Sequence, residues 1–446
     1  LAALQVSKQG IRELAKMGLD APLAEQGKEK LLQHLETTVM SLLDVLAACS
    51  SSDGSGVTRL LFSEEWLEAQ LALKDIMAES GLVPSFDEAG NLFGKLQGSE
   101  ADLPSIITGS HIDTVVDGGR YDGAYGIAAA LAAVRYLRET YGVPVRSIEV
   151  VSLSEEEGSR FPMAYWGSGS IAGERGFADI DDLEDVNGVS FRDAMRACGF
   201  GEGSARAARR DGADLAAFVE LHIEQGAVLE REGMAVGVVD AIVGQRRFVV
   251  TLTGEANHAG TTPMPMRKDA LEGACAMITM LREEAVRQGG PLVATAGRML
   301  VSPNVPNVVP GKVEFTVDVR HSNPERLEAF CGWFADAFRE AAESRGLELA
   351  CSEWFREEPA PMNEELKELL DGACAELGIS SRRMASGAGH DAQMFSRVCP
   401  SAMLFVPSRG GISHSPEEYT SPRELAIGAL VLAKLLYKLG YEGERV

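Results

Sequence analysis

Apolar residues recur at three- and four-residue spacing through Leu1–Ala48, a helical period. The run Ser50–Gly56 (SSSDGSG) breaks it. Ser63–Ser80 is again amphipathic, with Ser63 placed to cap the helix and Trp66 as an early anchor. Short apolar runs at Asn91–Leu96, Ser105–Gly109 and Ser147–Ser152 predict strands, and the Ala-rich stretch Asp122–Thr140 between two of them predicts a buried helix. Strand, helix and strand in that order argue for an α/β core with parallel strands.

A different pattern follows. Arg247–Gly254 alternates as a half-buried strand, and Lys268–Gln288 reads as helix. Leu292–Val301 and Lys312–Val319 read as strands, Asn323–Arg345 as helix and Glu348–Trp354 as a last strand. The order βαββαβ is that of the ferredoxin-like split unit. Helix then returns at Asn363–Leu377, an apolar strand at Ala402–Val406 and a closing helix at Pro422–Leu439. The expected fold is α/β: a catalytic domain with a mixed, largely parallel sheet flanked by helices, interrupted by an inserted ferredoxin-like domain. The boundaries read as a helical N-terminal extension over residues 1–29, catalytic segments over 30–243 and 359–446, and the insert over 244–358.

Composition narrows the function. The 446 residues include 42 basic and 66 acidic ones, a formal net charge of −24, with no basic stripe of the kind that binds nucleic acid. No apolar run approaches the roughly 20 residues that span a bilayer. Leu1–Lys30 carries charges throughout and lacks the features of a signal peptide, so a cytoplasmic protein is expected. The seven cysteines are scattered, without C-x-x-C, which predicts free thiols and argues against a thiolate metal site.

The candidate chemistry lies in histidines and carboxylates at strand ends. His111, in Gly109–Asp113 (GSHID), follows a strand directly, and open α/β sheets place their sites at that edge. Asp113 is placed to orient its ring. Asp122 opens a helix, where a carboxylate either bridges two cations or caps the helix, and alone the cap is the better reading. Glu155, Glu156 and Glu157 form a run whose mutual repulsion calls for cations or protons, unless it is a solvated loop. His222 comes from an apolar strand (ELHIEQG) and His414 from a Gly-rich loop (GISHS). Nitrogen and oxygen donors without thiolate fit Zn²⁺ or Mn²⁺ and do not discriminate between them.

Read together, the motifs GSHIDTVVDGGRYDG, EEEGSRFP, ELHIEQG, GEANHAGTTPM, NVVPGK, SGAGHDA and GISHSPEE resemble those of the dinuclear metallo-amidohydrolases related to aminoacylase and carboxypeptidase G. The resemblance covers about residues 50–440. It is strongest to the branch acting on allantoate, ureidoglycolate and N-carbamoyl-L-amino acids. Ala241–Phe248 (AIVGQRRF), Phe161–Gly167 and Glu357–Asn363 lean toward allantoate within that branch.

The resemblance implies two divalent ions per subunit, Mn²⁺ first and Zn²⁺ second. His111, Asp122 and His222 would hold one; Asp122, Glu157 and His414 would hold the other. Glu156 would be the general base and His258 would stabilise the oxyanion, with the inserted domain closing as a lid. Asn307 and Arg320 would bind the substrate carboxylate, with Gln245 and Arg246 completing the pocket and His390 beside it. Without the motif, Arg320 would read as a surface salt bridge. The implied reaction converts allantoate, a small ureido carboxylate, to ureidoglycine, ammonia and carbon dioxide. The implied assembly is a homodimer, with no nucleic-acid or membrane partner. His34 and His321 read as structural.

Overall fold

The computed structural model describes residues 18–19, 25–52 and 54–444. The expected helix over residues 1–17 and 20–24 lies outside the described residues. The chain divides into two compact units. The first comprises Leu1–Asp240, Met362–Met384 and His390–Val446; the second comprises Ala241–Pro361 and Ala385–Gly389.

In chain order the first unit begins with α1 (Glu25–Ala48), α2 (Glu64–Glu79), β1 (Val83–Phe86), β2 (Leu92–Leu96), β3 (Ser105–His111), α3 (Ala124–Tyr141), β4 (Ile148–Leu153), β5 (Leu215–Ile223) and β6 (Val236–Ile242). The second unit holds β7 (Gly244–Thr253), α4 (Ala270–Gln288), β8 (Val293–Ser302), β9 (Lys312–His321), α5 (Pro324–Ser344) and β10 (Glu348–Glu357). The chain then returns with α6 (Glu364–Leu377), β11 (Ser401–Val406) and α7 (Pro422–Gly440).

The strands of the first unit lie in the order β1-β2-β4-β3-β5-β11-β6. The middle of this sheet is parallel: β4 with β3, β3 with β5, and β5 with β11. The flanking pairs are antiparallel. Every residue of β3, β4 and β11 is buried. That explains why these strands read as unbroken apolar runs rather than alternating ones, since parallel strands are covered on both faces. Helix α3 packs on β3, and α7 packs against α1 and α3. The α/β core with helices flanking a largely parallel sheet is as expected. At the start of α2 the Ser63 hydroxyl accepts from the Trp66 amide at 3.2 Å, the predicted cap. All seven cysteines are free, and no described helix is long and apolar enough to cross a membrane.

The second unit has the strand order β10-β7-β9-β8, with every pair antiparallel. Its helices α4 and α5 bury one face of that sheet, where Phe248, Val250, Leu252, Val313, Phe315, Val317 and Val319 form the core with Phe330, Phe334 and Phe338. Successive strand residues point to opposite faces. Gln245 and Arg247 of β7, and Thr316, Asp318 and Arg320 of β9, therefore share the other, open face.

This parity corrects one expectation. Arg246 lies opposite Val319 in the register, on the helix side, and is 1% exposed. Its guanidinium is fully engaged within that face. Nε and Nη2 donate to Glu328 Oε1 at 2.9 and 2.7 Å, and Nη2 to Glu358 Oε1 at 2.6 Å. Nη1 donates to the carbonyls of Glu357 and Gln245 at 2.6 and 3.1 Å. Arg246 is a structural clasp and does not share a face with Arg320. Arg246→Ala removes all five of those hydrogen bonds. It is expected to lower the unfolding free energy by about 2 kcal/mol, read from urea unfolding, with substrate affinity unchanged.

Candidate metal centre and its surroundings

The parallel core sets up the site. His111 ends β3, and His222 is the next-to-last residue of β5. Both therefore emerge at the carboxyl edge of the sheet. Their rings stack with centroids 5.9 Å apart. Between them stands Asp122, in the turn before α3. Its Oδ1 is 3.5 Å from His111 Nε2 and 3.2 Å from His222 Nε2. Its Oδ2 is 3.3 Å from His414 Nε2, and that nitrogen is 3.3 Å from Glu157 Oε1. Asp122 does not cap α3: the cap residue is Gly123, and no side chain bonds there. Gly123 has φ 61°, and a Cβ on it would stand 2.5 Å from the His111 ring, so only glycine lets the turn close over that imidazole.

The donor atoms fall into three mutually close groups: His111, Asp122 and His222; Asp122, Glu157 and His414; and His111, Glu156 and Glu157. The outer nitrogens of the two buried imidazoles are already committed. His111 Nδ1 lies 3.1 Å from the Asp113 carbonyl and 3.2 Å from Asp113 Oδ1, and His222 Nδ1 lies 2.9 Å from the Ile223 carbonyl. Each Nδ1 is thereby assigned as the donor, which turns the Nε2 lone pair toward Asp122. Lone pairs facing a carboxylate repel unless a proton or a cation stands between them. Burial opposes charge on His111, yet its bonds to Asp113 and Asp122 outweigh that and hold its pKa well above the usual imidazole range. Burial likewise opposes charge on Asp122, and the three histidines outweigh it, driving that carboxyl well below its usual range. The bonds of His414 to Asp122 and Glu157 lift it to about 10. The site draws in positive charge, and its nitrogen and oxygen donors fit a pair of divalent cations.

The three glutamates divide their work. Glu155 is buried, and its carboxylate accepts from the amides of Gly158 and Trp166, anchoring the loop. The amides of Glu156 and Glu157 donate to Asp113 Oδ1 and Oδ2 at 3.0 and 3.2 Å, so one aspartate orients His111 and holds the glutamate loop. No hydrogen-bond donor meets the Glu156 carboxyl among the described residues. Burial, then the charge of Glu157, pushes its pKa well up.

Three further residues hold Asp122, and none is singled out by sequence pattern. Gln225 Nε2 donates to Asp122 Oδ2 at 2.8 Å, and Ser413 Oγ lies 3.1 Å from the same oxygen. Glu418, 5% exposed, accepts from the Tyr121 and Asp122 amides at 2.9 and 3.2 Å and from Ser413 Oγ at 2.8 Å. A Cβ on Gly119 would lie 2.0 Å from the Glu418 carboxylate, so that glycine is what lets the tether reach in. Gln225 and Glu418 lie inside the motifs that carry His222 and His414, which was the available signal.

His390 is buried behind this centre, 4.6 Å from the His222 ring and 5.5 Å from Phe405. Burial, then the neighbouring His222, holds its pKa well below the usual range, and its Nε2 has no hydrogen-bond partner among the described residues. It backs a candidate ligand and is 2% exposed.

The remaining expected residues belong to the second unit. His258 is exposed on a two-residue strand paired with Val308–Val309. Its Nδ1 accepts from the Gly260 and Thr261 amides at 3.0 and 3.2 Å, which assigns the proton to Nε2 and makes it a donor. The Asn307 carbonyl accepts from the amide of Ala259 at 2.9 Å, so Asn307 sits beside His258. Arg320 donates through Nε and Nη2 to the two oxygens of Asp318 at 3.0 and 3.3 Å, and through Nη1 to the Gly387 carbonyl at 2.8 Å. Gln245 Nε2 bonds Asp318 Oδ2 at 2.5 Å, on the same face as Arg320. His321 Nδ1 accepts from the Asn323 amide at 2.8 Å, a structural turn contact.

A nitrogen- and oxygen-lined centre with a shared carboxylate, at the carboxyl edge of a parallel sheet, is the architecture of a metal-dependent hydrolase. The chain belongs to Peptidase family M20/M25/M40, whose sequence profile matches residues 107–438. It is 48% identical over 413 residues to an allantoate amidohydrolase of Bacillus subtilis, covering 93% of this chain and 100% of that one. It is 46% identical over 412 residues to an allantoate amidohydrolase of Escherichia coli, covering 92% and 100%. Among solved structures it is similar to an amidase of the hydantoinase/carbamoylase family from Burkholderia multivorans, with a TM-score of 0.85 and 34% identity over 90% of this chain and 97% of that one.

If Glu418 sets the position of Asp122, Glu418→Ala is expected to weaken divalent-cation affinity by about 10–100-fold in a chelator competition. Glu418→Gln, whose carbonyl still accepts the two amides, is expected to keep most of it.

Proposed function

We propose that the protein is an allantoate amidohydrolase that uses water to release ureidoglycine, ammonia and carbon dioxide. The observation that carries this reading is a free glutamate carboxyl, Glu156, beside a two-sided Asp122 centre, in a chain nearly half identical to named allantoate amidohydrolases over their full length. His111, Asp122 and His222 would hold one divalent ion, and Asp122, Glu157 and His414 the other. Mn²⁺ is the ion we assign, and Zn²⁺ suits the same donors. Such ions supply Lewis acidity toward a carbonyl and make water a stronger acid.

The residues of the chain divide the remaining work. Glu156 takes the proton from the attacking water and delivers it to the departing nitrogen, and its carboxyl, which meets no hydrogen-bond donor among the described residues, is free to carry it. His258, with its proton on Nε2, donates to the oxyanion as charge develops there. Arg320 and Asn307 recognise the substrate carboxylate, and a guanidinium forks onto a carboxylate well. Gln245 shares the carboxylate that fixes Arg320 and so lies in the same receptor. A homodimer working in the cytoplasm completes the proposal and rests on the family resemblance.

Turnover of allantoate, ureidoglycolate and an N-carbamoyl-L-amino acid after Mn²⁺ loading tests the reading. Allantoate is expected to lead in kcat/KM. Glu156→Gln is expected to lose about 10²–10⁴-fold in kcat while still binding metal. Fast carbamoyl-amino-acid hydrolysis beside little allantoate turnover would contradict the substrate assignment.

A further inference from the structure

Arg59 lies between α1 and α2 and is 1% exposed. Among the described residues its guanidinium forms no ion pair, and the groups it bonds are backbone carbonyls. Burial pulls its pKa down to about 10, so it stays a cation at neutral pH. An unpaired charge in a core is costly, and an apolar side chain of similar length would fill the space without that cost. What the guanidinium reaches is therefore the point of interest.

It reaches in two directions. Nη1 donates to the carbonyls of Leu46 and Cys49 at 2.6 and 3.3 Å. These lie at the end of α1, where carbonyls lack helical partners and a cation is favoured. Nε points the other way and donates to the Ile112 carbonyl at 2.6 Å. Ile112 stands between His111 and Asp113, and its own amide donates to the Leu153 carbonyl at the end of β4, at 3.0 Å. The backbone of Arg59 adds two more bonds. Its amide donates to Thr114 Oγ1 at 2.9 Å, and its carbonyl accepts from the Thr114 amide at 3.1 Å. Arg59 thus holds the chain on both sides of Asp113.

Asp113 is where that grip matters. Its carbonyl and Oδ1 face His111 Nδ1, and its two carboxylate oxygens accept from the amides of Glu156 and Glu157. A rotation of the Ile112–Asp113 peptide would move the imidazole and the glutamate loop together. We infer that Arg59 is a positioning residue for the metal centre: it fixes the Ile112–Asp113 peptide and, through Asp113, sets the His111 ring and the Glu156–Glu157 loop. The inference rests on the divalent-cation reading above and names a residue that touches neither ion nor substrate.

Mn²⁺ affinity in a chelator competition tests it, with urea unfolding of the metal-free protein measured alongside. Arg59→Met keeps the aliphatic stem and removes the donors; it is expected to weaken Mn²⁺ about 10-fold. Arg59→Lys, which keeps the charge and can still donate to one carbonyl, is expected to recover part of that loss. In an Asp113→Asn background, Arg59→Met is expected to weaken Mn²⁺ by less than a further twofold, because both changes act on one path. Thr114→Val, which removes only the bond to the Arg59 amide, serves if Arg59→Met does not fold, and is expected to weaken Mn²⁺ about threefold. Arg246→Ala is the control for lost stability alone and is expected to leave Mn²⁺ affinity unchanged. If Arg59→Met, or Thr114→Val in its place, lowers stability but leaves Mn²⁺ affinity unchanged, Arg59 only staples α1 to the sheet and the inference is overturned. A full additional 10-fold loss in the Asp113→Asn background overturns the route through Asp113. Failure of the unaltered protein to bind Mn²⁺ overturns the cation reading and this inference with it.

Discussion

Everything in the candidate centre turns on one carboxylate that faces two ways. Oδ1 of Asp122 meets His111 and His222, and Oδ2 meets His414, which in turn meets Glu157. These partners come from positions up to about 300 residues apart, and the parallel sheet is what assembles them. Parallel strands end on the same edge, so β3 and β5 deliver His111 and His222 side by side without further specification. Asp122 and His414 need more, because both lie on loops. Gly123 lets the Asp122 turn close over His111, and Glu418 with Ser413 ties that turn to the His414 loop.

The arrangement is costly until charge is balanced. Carboxylates and imidazole lone pairs pointed at one another in a buried site destabilise the fold unless protons or cations intervene. The direction of the shifts shows how the protein meets that cost. His111 and His414 hold protons more tightly than free imidazole, and Asp122 gives its proton up more readily than a free carboxyl. A pair of divalent cations in place of those protons would satisfy the same groups. Glu156 takes no part in these hydrogen bonds, and its carboxylate lies with His111 and Glu157 in the third group of donors.

Much of this was legible in the chain. The strand-end histidines, the helix start at Ser63 and the βαββαβ order follow from period, punctuation and motif. Asp122 was ambiguous as a helix cap until the structure showed the backbone of Gly123 in that place. Arg246 was misplaced although the signal was present. Phe248, Val250 and Leu252 mark one face of β7, and extending their parity back by two residues puts Arg246 on the core side and Arg247 with Arg320 on the open side. His390 lay in a polar, Gly-rich motif that gave no sign of its burial behind His222. Glu418 and Gln225 were hidden for another reason: their hydrogen bonds to the Asp122 region span 296 and 103 residues, and no local pattern encodes such contacts.

The central claim is that one aspartate serves two cation sites. Counting bound ions per chain after metal loading and desalting tests it most directly, by comparing the unaltered protein with Asp122→Ala and His414→Ala. The account predicts two ions in the unaltered chain, one in His414→Ala and fewer than one in Asp122→Ala. Retention of two ions by Asp122→Ala would contradict it.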